Sequence, residues 1–133
     1  MNSKIYTSAD YDTLANWWEG NNSSTPHSSQ LMTLGVIGYV DDVPVAAVWG
    51  YMSKGVPVAF LDHFITNPDV KSTSTKLRGV TRMMDRMLDE LSEDGYQLIR
   101  ATTWSKTLGK VCAKKWGFEI IDNESTNLSL LIQ

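Results

Sequence analysis

The sequence predicts an α/β fold in which a mixed, mostly antiparallel central sheet is flanked by helices. Three observations carry this expectation. Strand-like runs broken by turn residues extend from Leu31 to Ile65. A strongly amphipathic helical stretch follows, from Lys71 to Gly95. A further strand, a second helix and a final pair of strands close the chain. A length of 133 residues predicts one domain over positions 1–133.

Lys4–Thr7 reads as a short first strand. Ser8 is positioned to cap a helix along which Tyr11, Leu14, Ala15 and Trp18 recur at helical spacing. Trp17 and Trp18 are too large to share one narrow stripe, so one of them either packs into the core or covers the opening of a cleft. Residues 20–30, GNNSSTPHSSQ, are rich in turn formers and read as a loop or broken helix, which would serve as a mobile substrate loop if it lies near a ligand site, with His27 exposed on it. LMTLGVIGYV, Asp41-Asp42 and VPVAAVWGYM form a hairpin. Lys54-Gly55 turns the chain again, and VPVAFLDHFI is the third, central strand.

Asn67-Pro68-Asp69 ends that strand. Leu77, Val80, Met84, Met87, Leu88 and Leu91 then mark one face of a long helix, with caps available among Ser72, Thr73, Ser74 and Thr75. Gly95 stops it. Gly79 inside it costs roughly 1 kcal/mol relative to alanine, so a close approach to a strand or ligand is expected there. QLIRATTW is the next strand, parallel to 58–65 through a right-handed crossover. Ser105 caps a helix over 106–116 with Leu108, Val111 and Cys112 inward. Gly117 ends it, and FEIID and NLSLLIQ pair around Asn123–Ser125.

Composition narrows the function. No apolar run reaches the ~20 residues of a membrane helix. The polar start has no signal-peptide pattern, which makes the cytoplasm the expected compartment. One cysteine excludes an internal disulfide, and with two histidines a structural zinc site is not expected. A net charge of -3 gives no general attraction to nucleic acid. The charge is uneven, however: residues 1–70 hold two bases against seven acids, whereas 71–86 holds Lys71, Lys76, Arg78, Arg82 and Arg86 against Asp85 alone. That segment suits a phosphorylated ligand as well as a solvated helix face. It lacks the aromatic interleaving of a nucleic-acid surface.

The turn between a central strand and an amphipathic helix is a natural anion site, because unpaired helix N–H groups and the helix dipole meet there. Ser72, Thr73, Ser74 and Thr75 add hydroxyl donors, and Lys71 and Lys76 add charge. Ordinary capping is the competing reading. GxxxxGK[ST] and GxGxxG loops are both absent. Asp62 and His63 are candidate bases on the central strand; strand alternation puts Val58, Phe60, Asp62 and Phe64 on one side and Ala59, Leu61 and His63 on the other. Trp104 and Ser105 follow the parallel strand at the edge where α/β sheets hold ligands. Each of the four also has a structural reading in packing or capping. Cys112 falls on an apolar stripe with no histidine near it in sequence and is expected to be a buried, inert thiol.

FLDHFITNPDV, KSTSTKLRGVTRMMDRML and TLGKVCAKKWGFEI together resemble the GCN5-related N-acetyltransferase superfamily. The resemblance covers residues 3–133 and is nearest to small divergent members encoded by bacteriophages. It implies that the 71–76 turn grips the pyrophosphate of acetyl-CoA and that the backbone of Phe64, Ile65 and Thr66 meets the pantetheine arm. The arm is implied to lie where the strands 58–65 and 97–103 splay apart. Ser105, Lys106 and Lys110 are within the implied reach of the cofactor, and Trp104 would wall the acyl or amine pocket. Two positions depart from the family pattern. The usual Gln/Arg-x-x-Gly-x-Gly/Ala loop is KSTSTK here, with Ser74 and Lys76 where glycines stand, so backbone approach to phosphate is more crowded. Ala113 stands where a tyrosine often serves as general acid.

The implied activity is transfer of an acetyl group from acetyl-CoA to a primary amine of a protein or small molecule. Catalysis then rests on holding both substrates together and on donors for the carbonyl oxygen. The two departures support a second reading, an inactive member that binds a host or phage protein in the host cytoplasm. Edge strands also leave a homodimer open.

Overall fold

A computed structural model describes residues 1–31, 34–102, 106–122 and 127–131. The elements follow in the order β1 (Ser3–Ile5), α1 (Tyr11–Gly20), β2 (Leu34–Val40), β3 (Val43–Met52), β4 (Val58–Thr66), α2 (Thr73–Glu93), β5 (Leu98–Thr102), α3 (Lys106–Trp116), β6 (Glu119–Asp122) and β7 (Asn127–Leu131). The expected class is realised: a mixed, mostly antiparallel sheet with helices. Contacts divide the chain into two compact units, Met1–Trp49 with His63–Asp89, and Gly50–Asp62 with Glu90–Gln133.

In the first unit the strand order is β1-β2-β3-β4. β1 pairs antiparallel with β2, Ser3 opposite Gly38 and Ile5 opposite Val36. Asp41 and Asp42 both have positive φ (51° and 62°), the backbone that a two-residue hairpin demands. A short 3-10 turn, Ser8–Asp10, precedes α1, so Ser8 does not cap it. Asp10 does the anchoring: its carboxylate accepts the Thr7 N–H at 3.0 Å and the Lys4 ammonium at 2.8 Å. Trp17 and Trp18 are both buried, which leaves neither exposed as a lid. Trp18 packs against Trp49 at 5.6 Å, and Tyr6 meets the same indole edge-to-face at 5.2 Å.

The apolar stripe of α2 is Val80, Met83, Met84 and Met87, continued in the second unit by Leu91; Leu77, expected in it, is 39% exposed. Gly79 is buried against β3, and a Cβ there would lie 2.5 Å from Cβ of Val45. On β2, a Cβ on Gly38 would overlap the Gly79 carbonyl and come within 2.9 Å of the Met83 nitrogen. Two glycines thus let helix and sheet touch backbone to backbone, which is the close approach expected at Gly79.

In the second unit the order is β3-β4-β5-β7-β6, with β3 and β4 contributing residues to both units. β4 and β5 run parallel, Val58 opposite Leu98 through Leu61 opposite Ala101. β7 pairs antiparallel with both β5 and β6. Gly95 (φ 86°) ends α2 and Gly117 (φ 77°) follows α3, the left-handed stops that sequence placed there. The turn at 123–126 lies outside the described residues.

Cys112 is 4% exposed, and burial pushes its thiol up to about 11. At pH 8 the thiolate would be about one part in a thousand. We expect no measurable reaction with a thiol-specific alkylating reagent at pH 8 in the folded protein, and full reaction in denaturant. Rapid native labelling would show that the site opens.

Candidate functional site

The turn from β4 to α2 is built around Asn67, a buried polar side chain. Its amide donates to the Pro44 carbonyl at 2.9 Å, and its Oδ1 accepts the Asp69 N–H at 3.0 Å. Its own N–H donates to the Val45 carbonyl at 2.8 Å. These bonds fix where β4 ends and aim the chain into α2. Asn21, just past α1, donates to the Thr66 carbonyl at 3.0 Å. The loop that begins at Gly20 is therefore tied at its root to the end of β4. A Cβ on Gly20 would lie 2.6 Å from the Pro68 ring. Of the expected backbone contacts, Phe64 and Thr66 are half-buried and Ile65 is buried.

Ser72 is the cap of α2. Its Oγ accepts the Thr75 N–H at 3.3 Å, and its carbonyl accepts the Lys76 N–H at 3.0 Å. The Ser72 and Ser74 hydroxyls lie 3.0 Å apart. Lys71, Ser72, Thr73 and Ser74 are exposed, whereas Thr75 and Lys76 are half-buried. The first-turn N–H groups of Thr73 and Ser74 have no acceptor within the helix, by the geometry of any helix start. The donors needed by a pyrophosphate are thus accessible, with Lys71 beside them. Capping and anion binding, set against each other in the sequence, are compatible here: Ser72 caps and leaves its neighbours open.

His63 departs from regular strand geometry. Alternation holds from Ala59 to Asp62, with Ala59 and Leu61 buried and Phe60 and Asp62 exposed. At His63 φ is 56°, a left-handed conformation that costs about 1–2 kcal/mol in most L-residues, although histidine adopts it more often than most. The simple two-face assignment from sequence stops at this residue. Strain of this kind concentrates at working sites.

The second unit holds a pocket of about 420 Å³ lined by Tyr51, Phe60, Leu61, Asp62 and Arg100. Asp62 is the one sequence-predicted candidate among them. Burial, and then the nearby Asp62 charge, raise the Tyr51 hydroxyl above its ordinary range, so it remains a protonated donor at neutral pH. Tyr51 and Arg100 were not singled out from sequence. Their signal is strand pairing: Phe60 stands opposite Arg100 in the parallel ladder. Lys110 is exposed on α3, and Ala113 is half-buried on the same helix. Trp104 and Ser105 lie outside the described residues, as does the side chain of Lys106.

This architecture has many solved counterparts. YncA from Salmonella typhimurium, described as an acetyltransferase and solved with its cofactor acetyl-CoA, superposes with a TM-score of 0.70 at 10% identity; the match covers 100% of this chain and 95% of that one. The fold is that of the GCN5-related N-acetyltransferases. The ribosomal-protein-S18-alanine N-acetyltransferase of Escherichia coli gives 0.68 at 11% identity over 96% of this chain and 90% of that one. N-acetylglutamate synthase from Neisseria gonorrhoeae, complexed with coenzyme A and L-arginine, gives 0.72 at 12% identity, where 99% of this chain spans only 34% of that protein. No protein-family profile and no curated protein matches the sequence. The N-acetyltransferase likeness is therefore one of fold. No helix among the described residues is long and apolar enough to cross a membrane.

Proposed function

We propose that this chain, acting as one domain, transfers an acetyl group from acetyl-CoA to a primary amine in a ternary complex. The observation that carries the reading is the open first turn of α2, where Ser72 caps and the neighbouring donors face solvent. The fit to CoA is chemical: exposed N–H groups, hydroxyls and Lys71 match a pyrophosphate. Acetyl-CoA would supply the activated acyl group and a thiolate leaving group. On the protein side, Lys71 to Lys76 hold the phosphates and the Phe64–Thr66 backbone aligns the pantetheine arm. Asp62 orients the amine and takes up its proton, and His63 fixes the bend in β4. Trp104 is assigned a catalytic role, and Ser105 and Lys110 roles in binding the cofactor. We place the protein among the small bacteriophage-type members, working in the host cytoplasm.

The test is calorimetric titration with acetyl-CoA, run beside the Lys71→Ala/Ser74→Ala double variant. Saturable binding that weakens about ten-fold in the variant is the expected result. Absence of saturation up to millimolar ligand would remove the transferase reading and leave a fold used to bind a partner protein.

A further inference from the structure

The parallel register of β4 and β5 sets Phe60 beside Arg100, and the antiparallel pairing of β5 with β7 sets Arg100 beside Ser129. Paired residues share a sheet face, so these side chains stand in one row. Asp62 lies two residues beyond Phe60 on the same strand, which places it on the same face and diagonal to Arg100. Diagonal neighbours of this kind have backbones about 7–8 Å apart, close enough for both heads to meet one small ligand. Phe60 is 45% exposed, so the row has an open apolar member as well as two charges. Among the described residues Arg100 makes no hydrogen bond or ion pair, and it lines the pocket. Its guanidinium presents five donors and no acceptor, a group suited to gripping a carboxylate with two parallel bonds.

We propose that the pocket of Tyr51, Phe60, Leu61, Asp62 and Arg100 takes a small molecule carrying both an amine and a carboxylate, that is, an amino-acid-type acceptor. This rests on the acyl-transfer reading only in calling the ligand an acceptor. The ammonium is held at Asp62 and the carboxylate at Arg100, while Phe60 and the Tyr51 ring cover the carbon skeleton. A volume of about 420 Å³ accommodates such a molecule and is too small for a folded partner. An amine lacking the acid leaves the Arg100 grip unused. An acid lacking the amine leaves the Asp62 contact unused.

The experiment uses the whole chain without acetyl-CoA and follows ligand binding by NMR. The probes are L-phenylalanine, phenethylamine and 3-phenylpropanoate, which share a ring and differ in the two charged groups. Phenylalanine is expected to bind at least about ten-fold more tightly than either fragment. Arg100→Gln should erase its advantage over phenethylamine, and Asp62→Asn its advantage over phenylpropanoate. Both positions are exposed, so thermal midpoints should stay unchanged. Equal binding of the three probes, or a preference that survives both substitutions, overturns the proposal. Selective binding by a protein that fails to bind acetyl-CoA keeps the pocket assignment and ends the transferase reading. Acetyl-CoA binding without probe discrimination does the reverse.

Discussion

Replacing Gly38 with alanine is expected to cost about 3 kcal/mol or more, read from chemical denaturation of the whole chain. The added methyl would overlap the Gly79 carbonyl and sit 2.9 Å from both the Met83 nitrogen and its Cβ. Backbone atoms cannot rotate away as a side-chain tip can. α2 must therefore shift off β2, and overpacking of this kind costs about 1–3 kcal/mol even where side chains yield. Gly79→Ala is the partner experiment. Its methyl meets Val45, a branched side chain with little room to move, and the loss is partly offset by about 1 kcal/mol of helix propensity. The order Gly38→Ala worse than Gly79→Ala is the specific expectation. Stability unchanged in both would mean that helix and sheet do not touch here.

Asp62→Asn should lower kcat/KM for acyl transfer about 100-fold while leaving acetyl-CoA affinity unaltered. A positioned base supplies roughly 100- to 10,000-fold of rate, and the amide retains shape without accepting a proton. Residual activity of the variant should climb as pH rises, because the amine then loses its proton to solvent unaided. The contrast is His63→Asn. Asparagine tolerates the left-handed backbone, so the bend in β4 survives and activity should stay within a few-fold of wild type. If His63→Asn were the severe variant and Asp62→Asn the mild one, the roles proposed for the two residues would have to be exchanged.

Much of this molecule was legible before any coordinates. Helix and strand periods are local properties, so the meander over β2 to β4, the long α2 and the glycine stops at 95 and 117 follow from residue order. The turn chemistry of Asp41-Asp42 and the cap supplied by Ser72 are local too. Local pattern and structure part where burial depends on distant partners. Leu77 fits the α2 stripe by spacing yet is 39% exposed. Ser8 is a good capping residue, but Asp10 holds the start of α1 because Lys4, on β1, reaches it.

By itself, then, the sequence determined the class of fold, the helix start with its cluster of donors, and the burial of Cys112. Tertiary structure alone decided three things. It set the left-handed turn at His63, which no period-two pattern announces. It set Gly38 against Gly79, a contact between residues 41 positions apart. It also brought Arg100 beside Phe60, and so next to Asp62, because strand register in a parallel pair is fixed by how a whole helix packs between the strands. Local sequence encodes conformation; which charges share a pocket is encoded only when distant segments find one another.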